Sequence, residues 1–598
     1  MRRLNLKVLF LCLILFSLIT VPVYAEPTAD YDVIVIGSDP EGISAAVSSA
    51  RNNSRVLLID TRNDVGGLYT SGMLSMLDMN YITSGGFQTV NEGFFKEFYN
   101  STAVSANIDI PKAKKYFTQL LQNENVTTIL GASNITPLKQ DNQVVGLSYQ
   151  KNGVPFTVQG NVLIDASIDA KFARQAGVSY KIGREELGMQ NEYAAATLVF
   201  SVQGVDWQKV KSYLNSDNSI YTGANDKVAW GYANMLDYVP TSNQFQLRRL
   251  NMSLQDDGSV VINAFQIFNT NSLDESNIRE NYFKAIEELP YIVNFLNTNA
   301  IGFEKAFLYK CADELYIREG VRIVGEYTLT GEDVFTNVDF KNKIAYGSYP
   351  MDLQATRRDE LGGTILSSRN IYSIPITIMV PQVIDNLLVV GRSASYDPLS
   401  HSSARTVPVG MALGQAAGVL ASYSIDNGLS VRQASLDDLH VLNIQTNLMR
   451  AGVVLTTPLN TYHPEESSWS YPYIVSLRKK AMLSMEFNGK NDYRCKESAT
   501  FQTLHNILSL VHANSTLKLP AIDNLENDMN LVTQSQMLVI LNKLMNTSYM
   551  SVDELYENKI IDYSTFVRTK DKFVLLNEDI YALMSCVIDY ITASQTIS

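Results

Sequence analysis

The segment Tyr31-DVIVIGSDPEGISAA-Val47, followed by Arg55-VLLI-Asp60, decides the fold. Val33 to Ile36 form an apolar run suited to a strand buried on both faces. Gly37 then permits a sharp turn, and Gly42 lets the helix that follows lie close to the sheet. Val56 to Ile59 read as a second strand, and it ends in Asp60, eighteen residues past Gly42. A strand, a glycine turn, a helix and a second strand with a terminal acid together mark a domain that binds an ADP moiety. The helix would point its free N–H groups and positive dipole end at a pyrophosphate, while Asp60 would accept hydrogen bonds from the ribose hydroxyls. The middle glycine of G-x-G-x-x-G is Asp39 here. A carboxylate there repels phosphate, so Asp39 is expected to turn away and cap the helix.

Far downstream, Asn386-LLVVGRSASYDPLSHSSARTVPVGMALGQAAGVLA-Ser422 again gives a buried strand, a glycine (Gly391), a loop and a helix rich in small residues. Gly414, Ala416, Ala417 and Gly418 would let that helix approach a ligand or another backbone. With these two segments in hand, the chain resembles the FAD-dependent oxidoreductase family, whose dinucleotide fold is similar to those of glutathione reductase and fumarate reductase. Val65-Gly66-Gly67, Ile317-REGVRIVGEYTLTGED-Val334, Ile344-AYGSYPMD-Leu353 and Ile374-PITIMV-Pro381 match the family in the same order, so the likeness runs from Tyr31 to Leu455. The family's G-G-G-P-A-G is G-S-D-P-E-G here, and its A-T-G-D is Ala166-Ser167-Ile168-Asp169. The resemblance implies FAD as cofactor. It places the contacts on Gly37, Pro40, Glu41, Gly42, Asp60, Gly66, Gly67, Ala166, Gly391, Arg392, Gly414, Gln415 and Ala416.

The chain has 598 residues, too many for one ordinary domain, and a net charge of -13. No basic run follows the N-terminus, which argues against a nucleic-acid partner. Residues 1–25 read as an export signal, with Arg2, Arg3 and Lys7 before an apolar core and Val23-Tyr24-Ala25 as the cleavage site. The strongly apolar core favours the general secretory route over a twin-arginine route or a retained anchor. The expected location is therefore secreted or in the cell envelope. Of four cysteines, Cys12 lies in the signal, and the other three show no C-x-x-C spacing. Three unpaired thiols are expected, with a Cys495–Cys586 disulfide as the alternative.

The fold class expected is α/β. A Rossmann-like FAD-binding domain in two parts (26–180 and 344–455) would carry a β-meander. An α+β cap (181–343) would be inserted between the parts, and a helical domain (456–598) would follow. The meander strands are Ile135–Lys139, Val144–Gln150 and Pro155–Gln159, turning at Asp141-Asn142 and Asn152-Gly153, before a separate buried strand from Val162. A long amphipathic helix, Ile278 to Leu296, belongs to the cap. The tail holds three loosely similar units, whose second helices start at Thr500, Thr533 and Asn577. With Trp469 and Tyr471 they resemble degenerate S-layer homology repeats, which fasten exported proteins to cell-wall polymers. A helical bundle that only stabilises the enzyme is the other reading.

Among five histidines, only His401 lies in the returning loop, where it could act as a base or simply fasten the loop. Arg405 matches an arginine usual in the family. It could clamp a carboxylate or phosphate, or stabilise negative charge on reduced flavin. Tyr396 and Asp397 are weaker candidates. Glu319, Arg322 and Glu326 read as a structural ion-pair network, with Arg318 and Arg322 facing the flavin as the alternative. There is no second G-x-G-x-x-G, no H-E-x-x-H, no serine elbow and no P-loop. The function expected is hydride transfer between a small organic molecule and flavin, with an unidentified electron acceptor and a cell-wall polymer as further partners. The rival is a wall-attached scaffold whose flavin fold has lost catalysis.

Overall fold

A computed structural model describes residues 30–597, apart from 83–87, 217–218, 220, 359–362, 368–369, 460–461, 486–491 and 523–528. The export-signal reading of 1–25 lies outside the described residues.

Strand β1 (Tyr31–Ile36) runs into helix α1 (Pro40–Arg51), whose proline sits where a helix has no use for an N–H. Strand β2 (Val56–Ile59), helices α2 (Phe94–Thr102) and α3 (Ile110–Asn123), and strand β3 (Thr127–Ile129) follow. Next come β4 (Ser133–Gln140), β5 (Gln143–Lys151) and β6 (Val154–Asp165). The sheet order is β3-β2-β1-β6-β5-β4, and the distant strand β7 (Leu387–Val389) adds to β6. β3, β2, β1, the far half of β6 and β7 are parallel, while β4, β5 and the near half of β6 form the antiparallel meander. Here the structure corrects one expectation. The third meander strand and the buried strand from Val162 are one continuous strand. Its exposed start (Phe156 is 44% exposed) gives way to Leu163 and Ile164, which are fully buried. The turns read from the sequence are present: Asp141 has φ +53, Asn152 +54 and Gly153 +78.

Successive residues of β1 serve opposite faces, as pleating requires. Val33 and Val35 join the core that holds α1, and Ile34 and Ile36 join the core on the other side. A further core runs from Ala196 to Ile317, built on a six-stranded antiparallel sheet and a three-stranded one. Helix α4 (Glu275–Asn299) backs it, and Asp274 caps that helix through the Ser276 and Asn277 amides. Leu329, Val334 and Phe335 pack instead with the flavin-domain side, so the cap core ends before the expected 343.

The chain returns through β7 to α5 (Pro398–Ala404) and α6 (Val407–Asp426). α6 lies against α1 so closely that a Cβ at Gly414 would stand 2.1 Å from the Glu41 carbonyl oxygen, and one at Gly418 2.6 Å from that of Ala45. Ser44 and Ser48 hydroxyls donate across to the Met411 and Gln415 carbonyls at 2.6 and 2.9 Å.

In the tail, helices α7 (Phe501–Asn514), α8 (Gln534–Met545) and α9 (Asn577–Ile597) each follow a short extended segment. These segments close a ring of backbone hydrogen bonds: Val532 N to Ala499 O at 2.9 Å, Ala499 N to Leu575 O at 2.8 Å, and Leu575 N to Val532 O at 3.0 Å. The three units are thus arranged with pseudo-threefold symmetry. Ile474, Leu477, Leu504 and Leu583 share a continuous core with Val33 and Ile164, so the tail is fused to the flavin domain. Cys311, Cys495 and Cys586 are free thiols. Among the described residues no helix is long and apolar enough to cross a membrane.

Candidate flavin site

The parallel strands end together. Gly37 N donates to Ile59 O at 2.8 Å, Ala166 N to Ile36 O at 2.8 Å, and Val390 N to Asp165 O at 3.0 Å. The residues after β1, β2, β6 and β7 therefore share the carboxyl edge of the sheet, where open α/β sheets bind ligands. Gly37 has φ +98, and a Cβ there would stand 2.5 Å from Ala166 O. A Cβ at Gly42 would meet Gly37 O at 2.1 Å. Gly391 (φ +75) rests on the Glu41 side chain, its ideal Cβ position 2.4 Å from Oε1. Two glycines remote in sequence thus meet at one turn.

The acids at this turn depart from expectation. Asp39 occupies the N-cap position of α1 but makes no side-chain cap bond. Its Oδ1 accepts from Leu68 N at 2.8 Å, and its Oδ2 accepts from Arg62 Nη1 at 3.0 Å. Gly67 lies against this carboxylate, where a Cβ would come within 2.0 Å of Oδ1. Gly66 (φ +99) makes the bend before it. Asp60, read as the ribose acceptor, is engaged by the chain itself. Its Oδ2 accepts from Ser38 N and Ser38 Oγ at 2.6 Å each, and its Oδ1 accepts from Arg62 N at 2.9 Å. Arg62 also donates to Glu314 of the cap at 3.0 Å through both Nε and Nη2. Sequence reading missed Arg62, although Asp39 held the clue: a buried carboxylate requires a cation or a donor. Burial above all, with Asp39 adding, pushes the Glu41 carboxyl up to about 7.

Asp39, Glu41, Leu68, Tyr316, Arg318, Arg392, Arg405, Thr406, Val407 and Gly410 line one small cavity, with room for about one water. The face of α6 toward this cavity is therefore its first turn. Gly414 and Ala416 lie deep between helices, and Gln415 accepts from Phe94 N at 2.9 Å and donates to Ala451 O at 3.2 Å. Gly410, which sequence reading did not single out, is the glycine of α6 that lines this cavity.

Arg405 bonds the Tyr316 hydroxyl at 3.2 Å and pairs with Asp352 at 3.5 Å. Arg318 is buried, with only neutral acceptors: Thr197 Oγ1 at 2.6 Å, Asn263 Oδ1 at 3.2 Å and Ala195 O at 3.3 Å. It lies 4.2 Å from the Tyr316 ring centroid, and burial lowers its guanidinium to about 10, helped by Arg248 and Arg405. The R-E-x-x-R run thus divides. Arg318 faces the cavity, while Arg322 is structural, bonding Tyr396 O at 3.0 Å and Gly183 O at 2.7 Å and pairing with Glu186. Glu319 pairs with Arg184 at 3.2 Å, and Glu326 pairs with Arg432. His401 is buried beside Tyr396 and does not line this cavity. Burial and Arg322, Arg405 and Arg392 hold its imidazole well below the ordinary range, so it is neutral. Asp397 caps α5 through Ser400 N at 2.7 Å.

A model of the family described as FAD dependent oxidoreductase matches residues 32–447. The chain belongs to the FAD-dependent oxidoreductase family. The match to an uncharacterized protein from the nifH2 5' region of Methanosarcina barkeri is local, 45% identical over 40 residues, 7% of this chain and 22% of that protein's length. Among solved structures, a geranylgeranyl bacteriochlorophyll reductase-like protein from Thermoplasma acidophilum is 13% identical over 81% of this chain and 96% of its own, with TM-score 0.36. A myxobacterial chondrochloren halogenase is 13% identical over 77% and 84%, with TM-score 0.33.

The family cofactor is FAD, and the residues present fit it. The glycine turn lies at the start of α1. In the returning segment, Arg392 lines this cavity and its Nε is buried without a partner in the protein. Such an atom costs about 1–3 kcal/mol, which a polar ligand at this edge would recover. Gly37, Gly42 and the α1 N-terminus would hold the diphosphate, with the first turn of α6 toward the flavin ring. When bound, FAD supplies hydride transfer.

Proposed function

We propose that the protein is an exported oxidoreductase that passes hydride between a small organic substrate and FAD, with a separate acceptor resetting the cofactor. The carrying observation is that residues of the α1 turn line one small cavity together with Arg318 and Arg405. Arg318 has only neutral hydrogen-bond acceptors, with the Asp78 and Asp352 carboxylates acting on it and on Arg405 from further off, so the two guanidinia would orient a substrate carboxylate or phosphate beside the flavin. No histidine lines this cavity, and Glu41, its carboxyl pushed up to about 7, is the acid on it that titrates near neutrality. Tyr316 and the Asp352-paired Arg405 are further polar groups there. The test is an anaerobic screen of organic acids against their amides, read by bleaching of the flavin absorbance. Acids should bleach the flavin, and Arg405→Met should slow bleaching about 100-fold while retaining flavin. Bleaching by the amides alone would refute the anionic assignment.

The pseudo-threefold tail supports wall attachment, in keeping with its likeness to S-layer homology units. Full-length protein should sediment with purified cell walls and be released by soluble wall polymer. Absence from the pellet would end this part of the reading. The rival, a wall-bound scaffold without catalysis, draws on the Arg62 ion pairs that span the turn. A purified protein that takes up no flavin on reconstitution would favour it.

A further inference from the structure

The turn that would receive the FAD diphosphate is crowded with charge. Asp39 and Glu41 come from α1, Asp60 from the end of β2 and Glu314 from the cap, against the guanidinia of Arg62 and Arg392. Four carboxyl groups thus face two cations where a doubly negative diphosphate must lie. The Arg62 side chain is only 13% exposed and stands between the two ends of the ADP path, 3.0 Å from Asp39 and 3.3 Å from Asp60. Asp39, in the glycine's place, also removes the open backbone approach on which the ordinary turn relies.

We propose that Arg62 is the group that meets the FAD diphosphate, in place of bare backbone at position 39, and that FAD binding takes up one proton on Glu41. The proposal rests on the assignment of FAD to this edge of the sheet. Arg62 is already tethered to both banks of the site, so a small swing of its planar fork would exchange a carboxylate for phosphate oxygens. Glu41 faces Asp39 on its own helix, Arg62 beyond β2, Arg392 after β7, and the phenols of Tyr69 and Tyr396. The backbones of Gly391 and Gly410 close over its carboxylate. A carboxylate buried beside Asp39 does not stay ionised when a diphosphate arrives, and a proton on Glu41 is the least costly relief. Glu41 is already held near neutrality, so the proton is available at ordinary pH.

The test uses full-length protein stripped of flavin and titrated with FAD by calorimetry, in two buffers of different ionisation enthalpy. The difference between buffers should report uptake of about half a proton per FAD near pH 7, approaching one proton near pH 8. Above that pH the Kd should weaken toward tenfold per pH unit. Glu41→Gln should abolish the proton uptake and bind FAD at least tenfold more tightly than wild type at pH 8. Arg62→Ala should weaken binding at least tenfold, Arg62→Lys less, and Arg62→Ala should cost less when Asp39→Gly is already present. Circular dichroism and Tm identify any variant that fails to fold, and Arg62→Lys and Glu41→Gln carry the test if Arg62→Ala does. Proton-free, pH-independent binding, or unweakened binding by the arginine variants, overturns the proposal while leaving FAD in place. Failure of wild type and every variant to bind FAD at any pH removes the flavin assignment itself, and this proposal with it.

Discussion

Gly37 shows how much one residue decides. Its φ of +98 and the Ala166 carbonyl, 2.5 Å from where a Cβ would sit, leave no room for a side chain. Gly37→Val should therefore yield protein without FAD, read from absorbance after purification; normal flavin content would mean the diphosphate lies elsewhere. Glu41 gives a pH prediction. Its folded carboxyl is held at about 7 against an ordinary 4.5, so the folded state keeps a proton that the unfolded chain has released. Stability of the flavin-free protein should fall as pH rises from roughly 4.5 to 7, by on the order of 1–3 kcal/mol, and stay at the lower level above. Glu41→Gln should flatten that fall and raise the Tm at pH 8. An unchanged profile of Tm against pH would show that the burial of Glu41 is not felt. Gly37, Gly42 and Gly391 were legible in the sequence because a backbone conformation restricts residue type directly. Arg62 was not, because its role depends on neighbours at 39, 60 and 314 that only the fold assembles. Asp39 was misjudged for a related reason: an N-cap position predicts a cap bond, but the Leu68 amide and Arg62 compete for the carboxylate and win it.

At the scale of elements, β1, α1, β2, β7 and α6 all follow from runs of apolar residues punctuated by glycine. The fusion of the third meander strand with the buried strand does not, because the polar stretch before Val162 reads as an interruption. The structure shows that one strand can be solvent-exposed for half its length and buried for the rest. Likewise the small residues of α6 announce a close approach without naming the partner. That partner is α1, so Gly414→Val would drive a side chain into the Glu41 carbonyl. Overpacking of this kind should cost about 1–3 kcal/mol in urea unfolding, with flavin affinity falling because α1 carries the turn. A change of less than about 0.5 kcal/mol would mean that the two helices slide apart freely.

Over the whole molecule, the tail that composition sets apart after Leu455 is not separate in space. Arg478 is fully buried between Glu332 of the preceding segment and Glu465 of the tail, and its guanidinium lies 5.0 Å from the Phe335 ring centroid. Arg478→Ala leaves the buried Glu465 and the partly exposed Glu332 without their cation and should cost about 3–5 kcal/mol, measured by urea unfolding. A near-neutral result would make the tail a detachable module. Truncation after Leu455 should expose the shared core and give insoluble protein, so tests of wall attachment belong on the full chain. The central claim is that two remote glycine turns close on one FAD at the carboxyl edge of the sheet. It is tested most directly by a crystal structure of the full-length protein grown with saturating FAD. The diphosphate should lie against Gly37 to Pro40 within reach of Arg62, with the flavin ring at the first turn of α6 beside Arg405. FAD bound at another surface, or a saturated crystal with this edge of the sheet bare, would contradict it.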